Sequence, residues 1–216
     1  MKGCISGYVA RIEERTPTLT IVSVTGLTGD GTDDEHPFVQ NIRFDGRSKP
    51  LVDALNVGEF IYVDVTYTYH SWQTPTGEAR SQNTMNGTTL FRIEPGQVIR
   101  KGGYVCPLFM VNEIRLRVSL VRDAVFKVQA GKRICEARVA CSDQGQAHYY
   151  NLTAWHDLAS AMSKAVKGDT LMATVKARKE KWTDAKGEHW RDHIEVRSMT
   201  RSPVALQGAR ANLAGD

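Results

Sequence analysis

Apolar and polar residues alternate with period two through most of the chain, the pattern of half-buried β-strands. In the first half it marks Ile21–Val24, Phe38–Phe44, Glu59–Trp72 and Thr88–Glu94. In the second it marks Ile114–Val121, Ile134–Cys141, Tyr149–Trp155, Thr170–Trp182 and His193–Ser198. Within Thr170–Trp182, Leu171, Ala173, Val175 and Ala177 fall on one face, and Met172, Thr174, Lys176 and Arg178 on the other. The apolar face should line a core, leaving Lys176 and Arg178 outside. Only two segments read as helical. Ser48–Leu55 has Pro50 near its first turn, where proline is tolerated. Asp157–Val166 has Asp157 as its expected N-cap.

The two halves align with each other. Gly58-Glu59 precedes a long strand to Trp72, followed by Thr74-Pro75-Thr76-Gly77-Glu78. Gly168-Asp169 precedes a long strand to Trp182, followed by Thr183-Asp184-Ala185-Lys186-Gly187-Glu188. The Gly-to-Trp and Trp-to-Gly spacings are the same in both. Upstream, a strand and a short helix precede each copy. Agreement of spacing, turn residues and element order marks a tandem repeat. Each unit then reads as about three strands, a short helix and a two-stranded hairpin. That order fits the five-stranded OB barrel, whose helix lies between the third and fourth strands. The expected fold class is all-β, two tandem OB-fold barrels with one short helix each. Domain 1 spans 1–95, a linker rich in Gly and Pro 96–109, domain 2 110–201, and a short flexible tail 202–216.

Charge separates the copies. Of the 216 residues, 28 are Lys or Arg and 24 Asp or Glu, a net of +4. Residues 1–98 hold 8 basic and 12 acidic residues, net −4, and residues 99–216 hold 20 and 12, net +8. A basic half favours a polyanion, most often nucleic acid. No apolar run is long enough for a membrane helix, and the N-terminal segment has no apolar core of a secretory signal. A cytoplasmic, nucleoid-associated protein with reduced thiols is therefore expected. The four cysteines, Cys4, Cys106, Cys135 and Cys141, form no C-x-x-C pair. Cys135, Ala137, Val139 and Cys141 share one strand face and read as small core residues. His189 and His193 lack metal-site context, and the cluster Asp30, Asp33, Asp34 and Glu35 beside Gly29 and Gly31 reads as a solvated loop. No cofactor or metal is expected.

Cations interleave with aromatics around the second hairpin. Lys176, Arg178, Lys179 and Lys181 lead to Trp182, and Trp190 and Arg191 follow on the return strand. Exposed rings stack with bases and cations neutralise phosphates, a chemistry suited to single strands because a duplex hides its base faces.

Further motifs run through residues 111–198: Val111-Asn112-Glu113-Ile114, Ile134–Ser142, Tyr149-Tyr150-Asn151-Leu152-Thr153-Ala154-Trp155 and His156-Asp157-Leu158-Ala159. Lys167-Gly168-Asp169 and Lys181-Trp182-Thr183-Asp184-Ala185-Lys186-Gly187 follow. On these motifs, and on the separation of the last two, the segment resembles the bacterial single-stranded-DNA-binding protein family. The resemblance implies base-stacking roles for Tyr149, Trp155 and Trp182, with Trp190 beside them. It implies phosphate-binding roles for nearby cations: Arg115, Arg117, Arg122, Lys127, Lys132, Arg138, Lys176, Arg178, Lys179, Lys181 and Arg191. The first half matches only through the repeat. There Thr66, Thr68, Tyr69 and Ser71 replace the hairpin cations Lys176, Arg178, Lys179 and Lys181, while Tyr67 or Tyr69 and Trp72 remain. Domain 1 is open to two readings, weak strand binding or assembly with a partner.

The resemblance implies sequence-independent binding and protection of single-stranded DNA, and a homodimer bringing four barrels together. The alternative is an OB-fold assembly factor of a replication or conjugation complex that binds DNA weakly. The family's acidic, aromatic C-terminal tip is absent, so partner recruitment by that route is not expected. No Ser-His-Asp arrangement, zinc motif, P-loop or carboxylate pair points to an enzyme.

Overall fold

A computed structural model describes residues 1–28, 36–96, 98–101, 104–107, 110–143, 146–184 and 187–203. The side chains of 178–184 and 188–191 lie outside the described set. So do the acidic loop with Asp30, Asp33, Asp34 and Glu35, the Cys106 side chain, and the tail beyond 203.

The first repeat comprises β1 (Lys2–Thr16), β2 (Leu19–Thr28), β3 (His36–Asp45), a 3₁₀ helix over Gly46–Val52, β4 (Phe60–Gln73) and β5 (Ala79–Arg92). A small hairpin follows, β6 (Val98–Lys101) and β7 (Tyr104–Pro107), within the stretch read as linker. The second repeat comprises β8 (Asn112–Leu120), β9 (Val125–Gln129), β10 (Lys132–Asp143), β11 (Gln146–Trp155), α1 (His156–Met162), β12 (Thr170–Asp184) and β13 (Gly187–Ser202). By compactness the chain divides into Met1–Ile114 with Arg178–Asp192, and Arg115–Ala177 with His193–Asp216.

In the first repeat the strands pair in the order β2-β3-β5-β4-β1, and β1 pairs again with β2. In the second the order is β8-β12-β13-β11-β10, and β8 pairs again with β10. Both rings have one parallel pairing, β3 with β5 and β11 with β13, and this is OB connectivity. The chain carries two tandem OB folds. Ile5, Val22, Val24, Phe38, Ile42 and Phe44 fill the first core. Leu116, Val118, Val139, Leu152, Leu171 and Val175 fill the second. Cys135, Ala137 and Val139 face inward as expected, while Cys141 is half-buried, and Cys4, Cys135 and Cys141 form no disulfide.

Several elements depart from the pattern-based expectation. β1 gave no clear alternation, because Gly3 and Gly7 interrupt its apolar half and Arg11–Arg15 charge the other. It bends across the barrel nonetheless, pairing β4 through Lys2–Tyr8 and β2 through Tyr8–Thr16. In the second repeat the same strand is broken at Val121–Ala124 into β8 and β9. β5 begins at Ala79 rather than Thr88, because its polar start is held by the β4 ladder and leaves no apolar period to read. The first helix is a 3₁₀ helix with Pro50 inside it, a residue that has no N–H to give an α-helix. The second begins one residue earlier than expected, with Trp155 at its N-cap and Asp157 in its first turn, and ends at Met162.

The repeated Gly-acid landmark is a structural clamp. The Gly58 N–H donates to Val9 O (2.8 Å) and the Val9 N–H to Glu59 O (2.9 Å). In the second barrel Gly168 N–H donates to Leu120 O (2.9 Å) and Leu120 N–H to Asp169 O (2.8 Å). Both glycines have φ +90°, a conformation that a side chain strains. The acid side chains then close each helix-to-strand turn. Glu59 accepts from Asn56 N–H at 3.0 Å, and Asp169 from Val166 N–H at 3.1 Å. An arginine from the last strand locks each one: Arg92 pairs with Glu59 at 3.4 Å, Arg201 with Asp169 at 3.4 Å. The same arginines donate to Ala54 O and Lys164 O.

Candidate functional site

β10 and β11 form the long antiparallel ladder of the second barrel, and their register decides which side chains share a face. Cys135, Ala137 and Val139 oppose Ala154, Leu152 and Tyr150 on the buried side. The outer side therefore carries Glu136, Arg138 and Ala140 against Thr153, Asn151 and Tyr149, while Ile134, opposite Trp155, is buried. β9 continues this outer surface, placing Lys127 opposite Ile134, and Lys132 begins β10. OB folds bind oligonucleotides over the face of their second and third strands.

Tyr149 is 38% exposed, since the neighbour opposite it, Ala140, is too small to cover a ring. The Arg138 guanidinium lies over that ring, 5.5 Å from its centroid, and Arg138 Nη1 donates to Asn151 Oδ1 at 3.1 Å. A neutral amide orients this cation without neutralising it. Trp155 stands half-buried at the end of β11, where the strand passes into α1. At about 3.3 Å per residue, the two rings sit roughly 20 Å apart along one strand. Lys132 is exposed, while Lys127 is paired with Glu136 at 2.7 Å. The face thus offers two aromatic platforms with cations along it.

Other expected site residues lie elsewhere. Arg115 and Arg117 point outward from β8 and line an open cleft of about 480 Å³ with Met172, Thr174, Ser198 and Thr200. Arg122 is exposed in the turn after β8. Lys176 corrects the sequence reading. It is on the outer face of β12 as the alternation requires, yet it is buried and paired with Glu195 at 3.0 Å, both side chains nearly covered. The cross-strand carboxylate on β13 is a long-range partner that alternation along β12 does not reveal. Arg178, Lys179, Lys181, Trp182, Trp190 and Arg191 belong to β12 and β13, but their side chains lie outside the described residues. In the first repeat Tyr67 is buried, Tyr69 is half-buried, and Trp72 is 40% exposed. Trp72 stacks on His70, with ring centroids 5.6 Å apart and planes at 23°.

Sequence reasoning missed Asn151, Glu136 and Phe126. Asn151 and Glu136 matter only through cross-strand register, which single-strand periodicity does not contain. Phe126 is 43% exposed on β9, and the run Val125-Phe126-Lys127-Val128 carried a readable strand signal.

No family model matches the chain. A single-stranded DNA-binding protein of Deinococcus radiodurans is 25% identical over 200 residues, covering 86% of this chain. The chain resembles single-stranded DNA-binding proteins of Deinococcus and Thermus. A protein of that name from Thermus aquaticus is 24% identical over 196 residues, covering 83% of this chain and 74% of its own length. The chain spans 66% of the length of the Deinococcus protein. The crystal structure of the wild-type Thermus aquaticus single-stranded DNA-binding protein superposes with a TM-score of 0.72 at 21% identity. That match covers 94% of this chain and 92% of the other, so the two share a fold across both repeats. Among the described residues, no helix is long and apolar enough to cross a membrane, and no group of three or more His, Cys, Asp or Glu is placed to hold a metal.

Proposed function

We propose that this chain binds single-stranded DNA without sequence preference and protects it during replication, recombination, repair or DNA transfer. The carrying observation is the outer face of β10 and β11, where Tyr149 and Trp155 present rings on one strand and Arg138 lies over the first of them. Rings accept any base, at about 1–3 kcal/mol per stacked base, and cations take the phosphates between. The resemblance to single-stranded DNA-binding proteins supports the same reading. The chain acts by binding rather than by catalysis.

Within this reading Tyr149 and Trp155 stack bases, while Arg138 and Lys132 hold phosphates. Lys127 joins them once a phosphate displaces Glu136. The β12–β13 hairpin adds Trp182 and Trp190 with Arg178, Lys179, Lys181 and Arg191. Arg122 takes phosphate at one end of the path, and Arg115 and Arg117 do so on β8. Trp72 and Tyr69 offer a weaker aromatic surface on the first hairpin. Lys176, already neutralised by Glu195, is left out. The repeats occupy 1–95 and 110–201, and two chains associate to bring four barrels together in the cytoplasm, on the nucleoid.

Titration with oligo-dT at several salt concentrations tests the function. Tryptophan fluorescence should be quenched, and affinity should fall with salt by a slope of about 0.7 per phosphate engaged. Unchanged fluorescence at low salt, with no shift of a labelled oligonucleotide, refutes it. Sedimentation tests the dimer, which predicts twice the 24.0 kDa chain mass.

A further inference from the structure

The register that builds the second barrel's binding face can be laid on the first barrel residue by residue. β2 pairs with β3 as β10 pairs with β11. Ser23 opposite Asn41 matches Arg138 opposite Asn151, Thr25 opposite Val39 matches Ala140 opposite Tyr149, and Leu19 opposite Asp45 matches Ile134 opposite Trp155. The match extends to a contact: Ser23 Oγ donates to Asn41 Oδ1 at 2.8 Å where Arg138 donates to Asn151 Oδ1. Val39 thus stands in the place of Tyr149, Asp45 in that of Trp155, and Ser23 in that of Arg138. Both stacking rings and the guanidinium are gone from this face.

Cations remain there, but each is spoken for. Arg11 and Glu13 stand opposite Ser23 and Ile21 on the same outer side. Glu13 binds two guanidiniums at once, Arg11 Nη2 at 2.8 Å and Arg15 Nη2 at 2.8 Å. Asp45 Oδ2 accepts from Arg43 Nε at 2.8 Å. Three arginines face two carboxylates fixed at charge-assisted hydrogen-bond distance. A phosphate reaching any of them meets a guanidinium whose charge is already offset by a carboxylate of the same chain. On the outer β10–β11 face of the second barrel Lys127 is held this way by Glu136, while Arg138, beside Tyr149, rests on a neutral amide.

We infer that the first barrel's β2–β3 face is closed to single-stranded DNA by its own carboxylates, Glu13 and Asp45, which occupy the positions phosphates would take. This rests on the proposed strand-binding role of the β10–β11 face. The two barrels of one chain are then unequal: one grips the strand across its sheet face, and the other is left for other contacts.

The test uses the full chain, with oligo-dT as the probe and circular dichroism to verify the fold. Arg138→Glu should weaken binding by more than tenfold, whereas Arg43→Glu should leave it within about twofold. Glu13→Gln combined with Asp45→Asn should free the arginines and steepen the salt dependence, by about 0.7 for each phosphate newly bound. The arginines and Asp45 are exposed and Glu13 is partly so, and pairs of this kind contribute little to folding, so the variants should fold. An Arg43→Glu loss equal to that of Arg138→Glu would overturn the inference, as would an unchanged salt slope in the double variant. If wild-type chain binds no oligonucleotide, the single-strand reading itself falls.

Discussion

The two clamps make a controlled comparison within one molecule. Each has a glycine at φ +90°, an acid, an arginine from the last strand, and a bond from that arginine to a helix-turn carbonyl. They differ in burial. The Asp169 side chain is 2% exposed against 29% for Glu59, and Arg201 is 32% exposed against 46% for Arg92. Removing the arginine therefore has unequal consequences. Breaking a fully buried ion pair costs about 3–5 kcal/mol, because a charge is left in low dielectric. Arg201 reaches water along part of its length, which reduces the expected cost of Arg201→Ala to roughly 2–3 kcal/mol. The Arg92–Glu59 pair is solvated on both sides, and pairs of that kind are worth about 0–1 kcal/mol. The carbonyl bond is lost in both variants and cancels from the comparison. At about 4–8 °C per kcal/mol for a domain of this size, Arg201→Ala should lower the melting temperature by roughly 10 °C or more. Arg92→Ala should lower it by only a few degrees. Thermal and urea unfolding followed by circular dichroism would measure both. Equal losses, or a larger loss for Arg92→Ala, would refute the argument that burial of the acid sets the strength of the clamp.

Three further outcomes are expected. Trp155→Ala should weaken oligo-dT binding by about 1–3 kcal/mol, roughly 5- to 150-fold, with secondary structure intact; wild-type affinity would remove that ring from the site. The Glu59 carboxyl is held below its ordinary value of 4.5, first by the Asn56 N–H and then by the Asn56 side chain, with Arg92 adding to the effect. A lowered folded value stabilises above 4.5 and loses that contribution as pH falls through it, so the gap in urea midpoint between wild type and Glu59→Gln should close on acidification. A gap that persists in acid would show the carboxylate to be irrelevant. Burial, with Glu136 next to it, pushes the Cys135 thiol up to about 11, so it stays neutral in the folded protein. The native thiol titre at pH 8 should be the same for wild type and Cys135→Ser and differ by one only after unfolding; a native difference would place that thiol at the surface.

Most of the architecture was already written along the chain. The period-two runs located nine of the strands, and the repeat of Gly58-Glu59 and Gly168-Asp169 revealed two copies of one fold. Those signals are local: a strand buried on one side must alternate, and a tight turn at positive φ selects glycine. β1 escaped because glycines and charges broke its period, although pairing with β4 and β2 made it a strand regardless. The candidate face was half legible. Tyr149, Trp155 and Arg138 could be named from sequence, but that they share a surface follows from the β10–β11 register, and so does the guanidinium over the ring. Charge counts told the acidic first half from the basic second. Only the folded structure shows which charges are available, because an ion pair joins residues on different strands. Lys176 is a cation by sequence and a buried partner of Glu195 by structure. Arg11, Arg15 and Arg43 are cations by sequence and partners of Glu13 and Asp45 by structure. Sequence determined which groups exist and which way each strand turns them. Tertiary pairing decided which of them remain free to meet a ligand.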